Sequence, residues 1–467
     1  MTGKSTFLIA MLFFLSVAYA SAFDMRLSAE TLSVTADRVP LQDILTHFAR
    51  QGIRIRIDPR IDPLITVSFR DRSLQQGVNT ILKSLNHVLI WEAIPGLDGH
   101  PPRLAEIQVF QPGLKEYMRP LAPPSILSLQ KDAKTGALFV KNELLVTVRP
   151  GIGMADFQKL LLQIGGRIVD YYAATGVYRI HLPDGADVLS LVEEITAKSG
   201  IARAEPHYAY SMVGPRPLPG VSAPALFPVS GAGNGAPIAI IDTGLAAGAG
   251  LGRLVLASLD TLSPGTPIAD TQGHGTQMAY IASGMVRPFG VEDDGTATVP
   301  LIPIRGIDDN GHISGFQLLQ GIEYAILNGA RVLSLSWGGD AGSEFMEQAL
   351  NDAASKGLIV VASAGNEPTG TPVFPAAYSS VIGVGALDRD GTIWDRSNFG
   401  SSVSVYAPGV ASLPVGYRGD PGSYAGTSIA AAFAANRIAL YLSSHPGADI
   451  HEILNALSVR AEGDVMK

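Results

Sequence analysis

The sequence predicts an α/β fold built on a parallel sheet, preceded by two small α+β domains. Its C-terminal half alternates short apolar runs with helical patterns, which is typical of parallel sheets. Its N-terminal half contains shorter strand and helix patterns, separated by a Pro-rich stretch. The length of 467 residues also fits roughly three domains of about 150 residues each.

The composition excludes several classes of protein. Apolar residues make up 46% of the chain and charged residues 16%, which argues against global disorder. The net charge is −8 and no long Lys/Arg block occurs, so we expect no nucleic-acid partner. Because the chain has no Cys, disulfides, Cys-ligated metals and a thiol nucleophile are excluded. Proteins or peptides are therefore the expected partners.

Residues 1–22 predict a signal peptide. Lys4 precedes the apolar run Phe7–Leu15, and small residues follow in the cleavage-site patterns Ala18–Ala20 and Ala20–Ala22. The apolar run is shorter than the roughly 20 residues of a spanning helix, which disfavours an uncleaved anchor. We expect an exported protein, periplasmic or secreted, with no membrane span after signal cleavage.

Residues 23–112 predict the first α+β domain. Helical and alternating patterns follow one another at Leu41–Ala49, Ile53–Ile57, Ile65–Phe69 and Leu74–Leu85. This order is similar to the short N-terminal domain shared by secretins and TonB-dependent receptors. The resemblance implies that residues 23–110 dock to an envelope protein, and a plain spacer is the alternative.

A predicted linker at 113–138 leads to the second α+β domain at 139–210. Its strand and helix patterns end in Ala204-Glu205-Pro206-His207-Tyr208, and the unit resembles the inhibitory propeptide domain of subtilisin-like proteases. That resemblance implies a zymogen whose own prodomain is a partner in cis. Residues 211–233 hold five Pro and predict a second, flexible linker.

Residues 234–467 predict the parallel sheet. Near-continuous apolar runs indicate strands buried on both faces at Ile238–Ile241, Leu301–Ile304, Val332–Leu335, Leu358–Ala362 and Val381–Val384. Helical patterns at Gly315–Leu327 and Glu344–Ser355 lie between them. Ligands of such sheets bind beyond the carboxyl ends of the strands, where the polar motifs of this chain fall.

Three polar motifs are the candidates for catalysis. Asp242 follows the first strand in Asp-Thr-Gly, a motif shared with aspartic proteases, but the second copy that those enzymes need is absent. His274 lies between two Gly at the start of a predicted helix. Ser428, in Gly-Thr-Ser-Ile-Ala, opens another predicted helix, although a plain N-cap is the alternative for such a Ser.

The order Asp242, His274, Ser428 on a parallel sheet resembles the subtilisin family of serine proteases. Two further segments, Ser363–Glu367 and Leu335–Gly339, match the family pattern. The resemblance covers about residues 234–445 and implies a serine endopeptidase. The helix after Ser428 departs from the family, because it lacks the usual Pro, His and Gly.

The resemblance also implies a role for each residue. Ser428 would be the nucleophile, His274 its general base and Asp242 the group that orients the imidazole. Asn366 would donate its side-chain amide to the oxyanion, with a turn amide as the alternative.

The resemblance further implies that two strand edges pair with a bound peptide. One consists of Ser336, Trp337 and Gly338, and the other includes Gly311. Trp337 would narrow a side-chain pocket or pack as an ordinary aromatic residue. We expect no cofactor, and a solvated loop is favoured over a calcium site for the acidic run Glu292–Gly295.

A second function stays open at this point. The receptor-like pattern of the first domain and the altered helix after Ser428 also fit a catalytically vestigial protease scaffold. Such a protein would act as an envelope assembly or docking factor. The complete set of Asp242, His274, Ser428 and Asn366 favours the enzyme.

Overall fold

The computed structural model describes most of the chain after the predicted signal peptide. The described ranges are 23–27, 31–50, 53–92, 103–121 and 127–463, with gaps at 174, 199, 213, 220–232, 234, 264–266, 292–297 and 418–420. Residues 1–22, predicted as the signal peptide, lie outside them. Within the described ranges, no helix is both long and apolar enough to cross a membrane.

The chain divides into two compact units. The first comprises residues 1–48, 54–91 and 103–121, and the second comprises residues 49–53, 92–102 and 122–467. Both predicted domains after residue 122 therefore belong to one unit.

The first unit is an α+β structure with two sheets. Its elements are β1 (Phe23–Leu27), β2 (Thr31–Pro40), α1 (Leu41–Arg50), β3 (Arg54–Ile57), β4 (Leu64–Ser73), α2 (Leu74–Ile81), β5 (His87–Glu92), β6 (Arg103–Val109) and β7 (Arg119–Pro120). One sheet has the order β1-β2-β4 and the other β5-β6-β3-β7. The apolar face predicted for α1 is buried, with Leu41, Ile44, Leu45 and Phe48 fully covered.

The first unit extends further than the sequence pattern indicates. The sequence predicts a linker from residue 113, but Arg119 and Pro120 pair antiparallel with β3. Pro120 fits there because β7 is an edge strand, where a residue without an N–H is tolerated. Pro120, one of the residues that indicated a linker, thus lies in an edge strand instead.

The second unit begins with an antiparallel sheet covered by two helices. The elements are β8 (Leu129–Lys131), β9 (Leu138–Val148), α3 (Met154–Gln163), β10 (Arg167–Tyr172), β11 (Val177–His181), α4 (Val188–Thr196) and β12 (Ile201–Ser211). Strand β8 pairs with β9 inside the predicted linker at 113–138. Phe139, Leu144, Val146, Phe157 and Ile180 form part of the core between this sheet and its helices.

The remainder of the second unit is built on a parallel sheet. Its elements are β13 (Arg216–Leu218), β14 (Ile238–Asp242), β15 (Leu259–Asp260), α5 (His274–Ala282), β16 (Leu301–Arg305), β17 (His312–Ser314), α6 (Gly315–Leu327), β18 (Val332–Leu335), α7 (Glu344–Ser355), β19 (Ile359–Ser363), β20 (Val381–Leu387), β21 (Val405–Pro408), β22 (Val410–Leu413), β23 (Gly422–Ala425), α8 (Thr427–Ser444) and α9 (Ile450–Gly463). Seven strands have the order β15-β16-β14-β18-β19-β20-β21, all parallel. The predicted fold class is confirmed.

Helix α8 is the central helix of this unit. It is buried along most of its length and contacts β18, β19, β20 and the helix α5. Its buried alanines at 430–432 and 434–435 allow this close approach to the sheet. Because α8 begins at Thr427, its first turn carries Ser428 to the carboxyl edge of the sheet.

Strand β12 joins the antiparallel sheet to the parallel part of the unit through two helix N-termini. The Glu205 carboxylate accepts hydrogen bonds from the Ser343 hydroxyl and from the Glu344 N–H at the start of α7. Two residues along, His207 Nε2 accepts from the N–H of Phe316, 3.1 Å away, at the start of α6. Strand β12 thus supplies an acceptor to the N-terminus of each helix, and His207 does so at an irregularity of the strand between Pro206 and Tyr208.

The pKa values of the two capping groups are shifted in opposite directions. Burial raises the pKa of Glu205 to about 7, against the lowering effect of its hydrogen bonds to Ser343 and Glu344. Burial also lowers the pKa of His207, although its Nδ1 lies 2.8 Å from Oε2 of Glu143. Since Nε2 of His207 accepts a backbone N–H, the neutral imidazole is the form that fits this contact.

We expect protonation of Glu205 to stabilise the folded chain as the pH falls, because it removes the cost of burying the carboxylate charge. Its pKa in the folded chain lies above the ordinary value of 4.5, so the folded state binds a proton that the unfolded state releases. This stability is complete below about pH 4.5 and is lost as the pH rises through about 7. Wild type should therefore gain stability relative to Glu205→Gln as the pH is lowered from 8 to 5. The measurement is the difference between the unfolding midpoints of the two proteins at each pH. Parallel pH curves for the two proteins would contradict this expectation.

Candidate active site

The structure brings Asp242 and His274 together at the carboxyl edge of the sheet. Asp242 is the last residue of β14 and His274 is the first of α5. Nδ1 of His274 lies 2.7 Å from Oδ1 of Asp242, and both side chains are at most 1% exposed. The same carboxylate oxygen accepts the N–H of Thr243. A buried carboxylate on Nδ1 fixes the tautomer in which Nε2 is the free proton acceptor.

Asp270 ties the two loops together, and the sequence analysis missed it. Its Oδ1 accepts the Thr243 hydroxyl and the N–H of Gly273, at 2.9 and 2.8 Å. Its Oδ2 accepts the N–H and the hydroxyl of Thr276, at 2.8 and 2.6 Å. One buried carboxylate therefore caps α5 and holds the loop after β14. An Asp three residues before Gly273, ahead of a helix, is the sequence signal that would have found it.

The two loops approach each other too closely for a side chain at Gly275. A Cβ on Gly275 would lie 2.4 Å from the carbonyl oxygen of Gly244, and its N–H donates to the Thr243 hydroxyl. The glycine after His274 is therefore a requirement of the contact between the β14 and α5 loops.

Asn366 is oriented by the first residue of α8. Its Oδ1 accepts the N–H and the hydroxyl of Thr427, at 2.9 and 2.8 Å. The side-chain NH₂ therefore points away from Thr427, and Nδ2 donates to the carbonyl of Gly214 at 3.4 Å. Ser428 follows Thr427, so an amide donor and a serine hydroxyl lie on adjacent parts of the site.

Ser428 is buried beside this amide. Its side chain is 1% exposed, and neither its Oγ nor Nε2 of His274 has a hydrogen-bond partner among the described residues. The structure thus brings Asp242 to His274, but it does not join His274 to Ser428 by a hydrogen bond. Contacts of this kind are often longer before a substrate carbonyl is positioned for attack.

A segment of the chain itself covers the site. Ser211 exchanges two backbone hydrogen bonds with Gly338, each of 3.2 Å, and the Met212 N–H donates to the Gly311 carbonyl at 2.8 Å. Beyond Gly214, strand β13 pairs antiparallel with β23. We call the described residues here, Ser211, Met212 and 214–218, the cleft segment. The sequence predicts a flexible linker here, because Pro and Gly are typical of loops.

The predicted substrate-binding residues have different surroundings. Gly338 and Gly311 pair with the cleft segment, as expected of strand edges that bind a peptide. Ser336 is buried, and its hydroxyl has no partner among the described residues. Trp337 is 1% exposed, donates from Nε1 to the Ile241 carbonyl and packs on Tyr210. It also lines the cavity beside Asn366.

A cavity of about 320 Å³ adjoins Asn366. Its lining includes Gly338, Gly365, Thr427 and the exposed Glu367, together with Leu138 and Tyr210 from the preceding sheet. The cavity therefore opens next to the amide donor.

No cluster of three or more His, Asp or Glu side chains suited to a metal ion occurs among the described residues. The acidic run Glu292–Gly295, a candidate calcium site by sequence, lies entirely outside them. A calcium site at that run therefore stays untested.

Two sequence families match the second unit. Residues 233–464 match the subtilase family, and residues 128–207 match the fervidolysin N-terminal prodomain. The second match covers the antiparallel sheet from its first strand to His207.

Several known proteases are similar over the parallel part of the unit. The chain is 34% identical to subtilisin DY of Bacillus licheniformis over 229 residues, which span 48% of this chain and 82% of that protein. It is 35% identical to thermitase of Thermoactinomyces vulgaris over 208 residues, spanning 44% and 72%. Its match to alkaline elastase YaB of Bacillus sp. (strain YaB), 35% identical, spans 48% of this chain and 59% of the elastase.

A solved structure is similar over a longer stretch. Fervidolysin from Fervidobacterium pennivorans, titled a keratinolytic enzyme related to subtilisin, aligns with a TM-score of 0.54. The alignment covers 72% of this chain and 59% of fervidolysin at 24% identity. At that identity the likeness concerns the fold.

We expect Asp270→Ala to slow reactions of Ser428 without unfolding the chain. Loss of the carboxylate frees Thr243 and the start of α5, and a misplacement of about 1 Å costs about 10²-fold in rate. The measurement is the rate at which Ser428 reacts with a fluorophosphonate, followed by intact mass. Asp270→Asn keeps one acceptor oxygen and should recover part of the rate.

Asp449→Ala is the matched control for Asp270→Ala. Asp449 accepts the Glu452 N–H at the start of α9, so it is also a helix-capping aspartate. It should lower the unfolding midpoint without changing the labelling rate. Equal labelling rates for Asp270→Ala and wild type would show that Asp270 does not position His274.

Proposed function

The chain belongs to the subtilase family, and from this premise we propose that it is an exported serine endopeptidase made as a zymogen. Its substrates are proteins or peptides, bound in extended form between the strand edges at Gly338 and Gly311. Asp242, His274 and Ser428 carry the chemistry, and Asn366 assists at the oxyanion.

The reaction proceeds through an acyl-enzyme. Nε2 of His274 takes the proton of the Ser428 hydroxyl while Oγ bonds to the substrate carbonyl carbon. The imidazolium, stabilised by Asp242, then gives the proton to the leaving nitrogen as the C–N bond breaks. In the second half of the reaction, Nε2 of His274 takes a proton from water while the water oxygen bonds to the acyl carbon. The proton then passes to Oγ of Ser428 as the ester bond breaks, which releases the acid product and regenerates Ser428. The Nδ1 contact of 2.7 Å to Asp242 supports this division of roles.

The observation that carries the proposal is the contact of Asn366 with a peptide carbonyl. Because Thr427 holds Oδ1, Nδ2 is available to the Gly214 oxygen, next to the N-terminus of the helix that bears Ser428. A preorganised donor at this position stabilises negative charge on a carbonyl oxygen, and the N-terminus of α8 adds a favourable dipole.

The prodomain role rests on the contacts of β12. Residues 128–207 match a prodomain family, and Glu205 and His207 cap two helices of the protease part. Such contacts stabilise the folded protease and hold the cleft segment in place. Export rests on the pattern of residues 1–22 alone.

The first unit is proposed as a docking module for an envelope protein. Residues 23–110 supply most of a compact unit with its own buried core, as an independent binding module requires. A spacer would need no such core. The docking module and the spacer differ in whether a partner protein binds to this unit. Binding of this unit to an envelope fraction is the observation that would separate them.

We expect Asn366→Ala to lower kcat for a peptide substrate by about 10² to 10³, the magnitude known for an oxyanion donor in subtilisin, while KM changes little. Residues 23–218 are first removed with an immobilised protease, and hydrolysis of a chromogenic peptide is measured. Asn366→Asp keeps the size of the side chain without the donor, so it should be equally impaired.

Ser428→Ala, treated in the same way, should have no activity above background. Ser444→Ala is its control, because Ser444 lies at the far end of the same helix and is exposed. A Ser428→Ala protein as active as wild type would exclude the proposed mechanism. It would favour a scaffold that serves only in docking.

A further inference from the structure

We propose that a buried ionic cluster behind the site positions His274 and connects it to the strand edge at Gly311. The cluster acts on the histidine through the hydroxyl of Thr271. We call it the Arg305 cluster, and it consists of Asp260, Arg305 and Asp309. This inference rests on the proposed function, because it concerns the geometry of the same site. Its members are positioning residues, since they act through Thr271 on the general base.

The register of the parallel sheet brings the cluster together. Strand β15 ends at Asp260 and β16 ends at Arg305, and the two residues are partners in that register. Nη1 of Arg305 lies 3.0 Å from Oδ2 of Asp260, and Nη2 lies 3.1 Å from Oδ1 of Asp309. All three side chains are at most 6% exposed. Burial opposes the charge of Arg305, but the carboxylates of Asp309 and Asp260 hold its pKa above the ordinary value.

Asp309 connects the cluster to the loop that carries His274. Its Oδ1 accepts the hydroxyl of Thr271, which lies three residues before His274. The next residue of this loop, Gln272, donates from Nε2 to the Asp308 carbonyl at 2.7 Å. The loop before α5 is therefore held by two neighbouring side-chain hydrogen bonds to the segment that follows β16.

The segment that follows β16 also contacts Asp242 and forms the peptide-binding edge. The Asp242 carbonyl accepts the N–H groups of Gly306 and Ile307, at 3.0 and 3.1 Å. Further along, the Gly311 N–H donates to the Asp308 carbonyl at 2.9 Å, which closes the turn at the edge. One short segment thus contacts the residues on which the general base depends and carries the edge proposed to bind the substrate.

The Thr271 hydroxyl is the point at which the base and the edge can be separated. Its hydrogen bond goes to a buried carboxylate, so it is shorter and more directional than one between neutral groups. Without the hydroxyl, Arg305 still holds Asp309 and the edge keeps its place, but the loop before His274 loses one of its two contacts. Placement of the imidazole affects the chemical step, whereas the edge affects binding, so kcat and KM report on different parts.

The test is the effect of Thr271→Val on hydrolysis of a chromogenic peptide. Each full-length protein is folded first, and residues 23–218 are then removed with the immobilised protease. We expect kcat to fall by about 10-fold to 10²-fold with little change in KM, because a small misplacement of the base costs this much. Thr271→Ser keeps the hydroxyl and should recover most of kcat.

A double-variant cycle tests whether Thr271 acts through Asp309. Asp309→Ala removes the acceptor, while Arg305 keeps Asp260 as its partner. We expect Asp309→Ala to lower kcat and also to raise KM, because the edge loses its contact with the cluster. Addition of Thr271→Val to Asp309→Ala should lower kcat little further, since the contact is already absent. A further loss as large as that of Thr271→Val alone would overturn the proposal.

Thr261→Val is the matched control. The Thr261 hydroxyl is buried and donates to the Arg305 carbonyl at 2.9 Å, so its hydrogen bond goes to β16 rather than to the loop before α5. This variant should lower the unfolding midpoint of the full-length chain without changing kcat. Equal losses of kcat in Thr261→Val and Thr271→Val would show general loosening of the sheet edge, which contradicts a positioning role.

The Thr271→Val measurement decides the inference whether or not Asp309→Ala folds. Unchanged kcat, or a rise in KM alone, would mean that the contact does not position His274. In that case, activity of wild type on the same peptide would leave the proposed function standing. Absence of both hydrolysis and Ser428 labelling in wild type freed of residues 23–218 would remove the inference and the proposed function together.

Discussion

The convergence of three chain segments at one edge of the parallel sheet is the constraint on which the site depends. Strand β14 delivers Asp242, the start of α5 delivers His274, and the start of α8 delivers Ser428. These starting points meet only because Gly275 permits backbone contact and because small side chains let α8 pack against the sheet. Asp270 then fixes the relation of β14 to α5 with a single carboxylate.

The preceding α+β sheet and the cleft segment are continuous in the chain, and both contact the part of the unit built on the parallel sheet. Strand β12 caps α7 through Glu205 and α6 through His207, and the chain leaves that strand directly into the cleft at Ser211. Burial raises the pKa of Glu205 and lowers that of His207, so acidification stabilises the folded chain at Glu205 and destabilises it at His207.

The sequence predicts the parts whose signals are local. Buried parallel strands are apolar runs and the motifs lie at their ends, so β14, β18 and the positions of Asp242, His274 and Ser428 follow from pattern. The role of residues 211–218 does not, because its Pro and Gly are typical both of a linker and of a strand held by partners distant in sequence. Asp270 was missed for a related reason, since its partners become neighbours only after folding. Of the two environments open to Trp337, a narrowed pocket and ordinary packing, the structure shows features of both, because Trp337 packs on Tyr210 and also lines the cavity beside Asn366.

The most direct test of the account is the site of fluorophosphonate labelling in the full-length chain, followed by intact mass and peptide mapping. The account predicts one adduct, on Ser428, that forms slowly while the cleft segment is bound and is absent from His274→Ala. Rapid labelling of a different serine, or no adduct on Ser428 after residues 23–218 are removed, would contradict it.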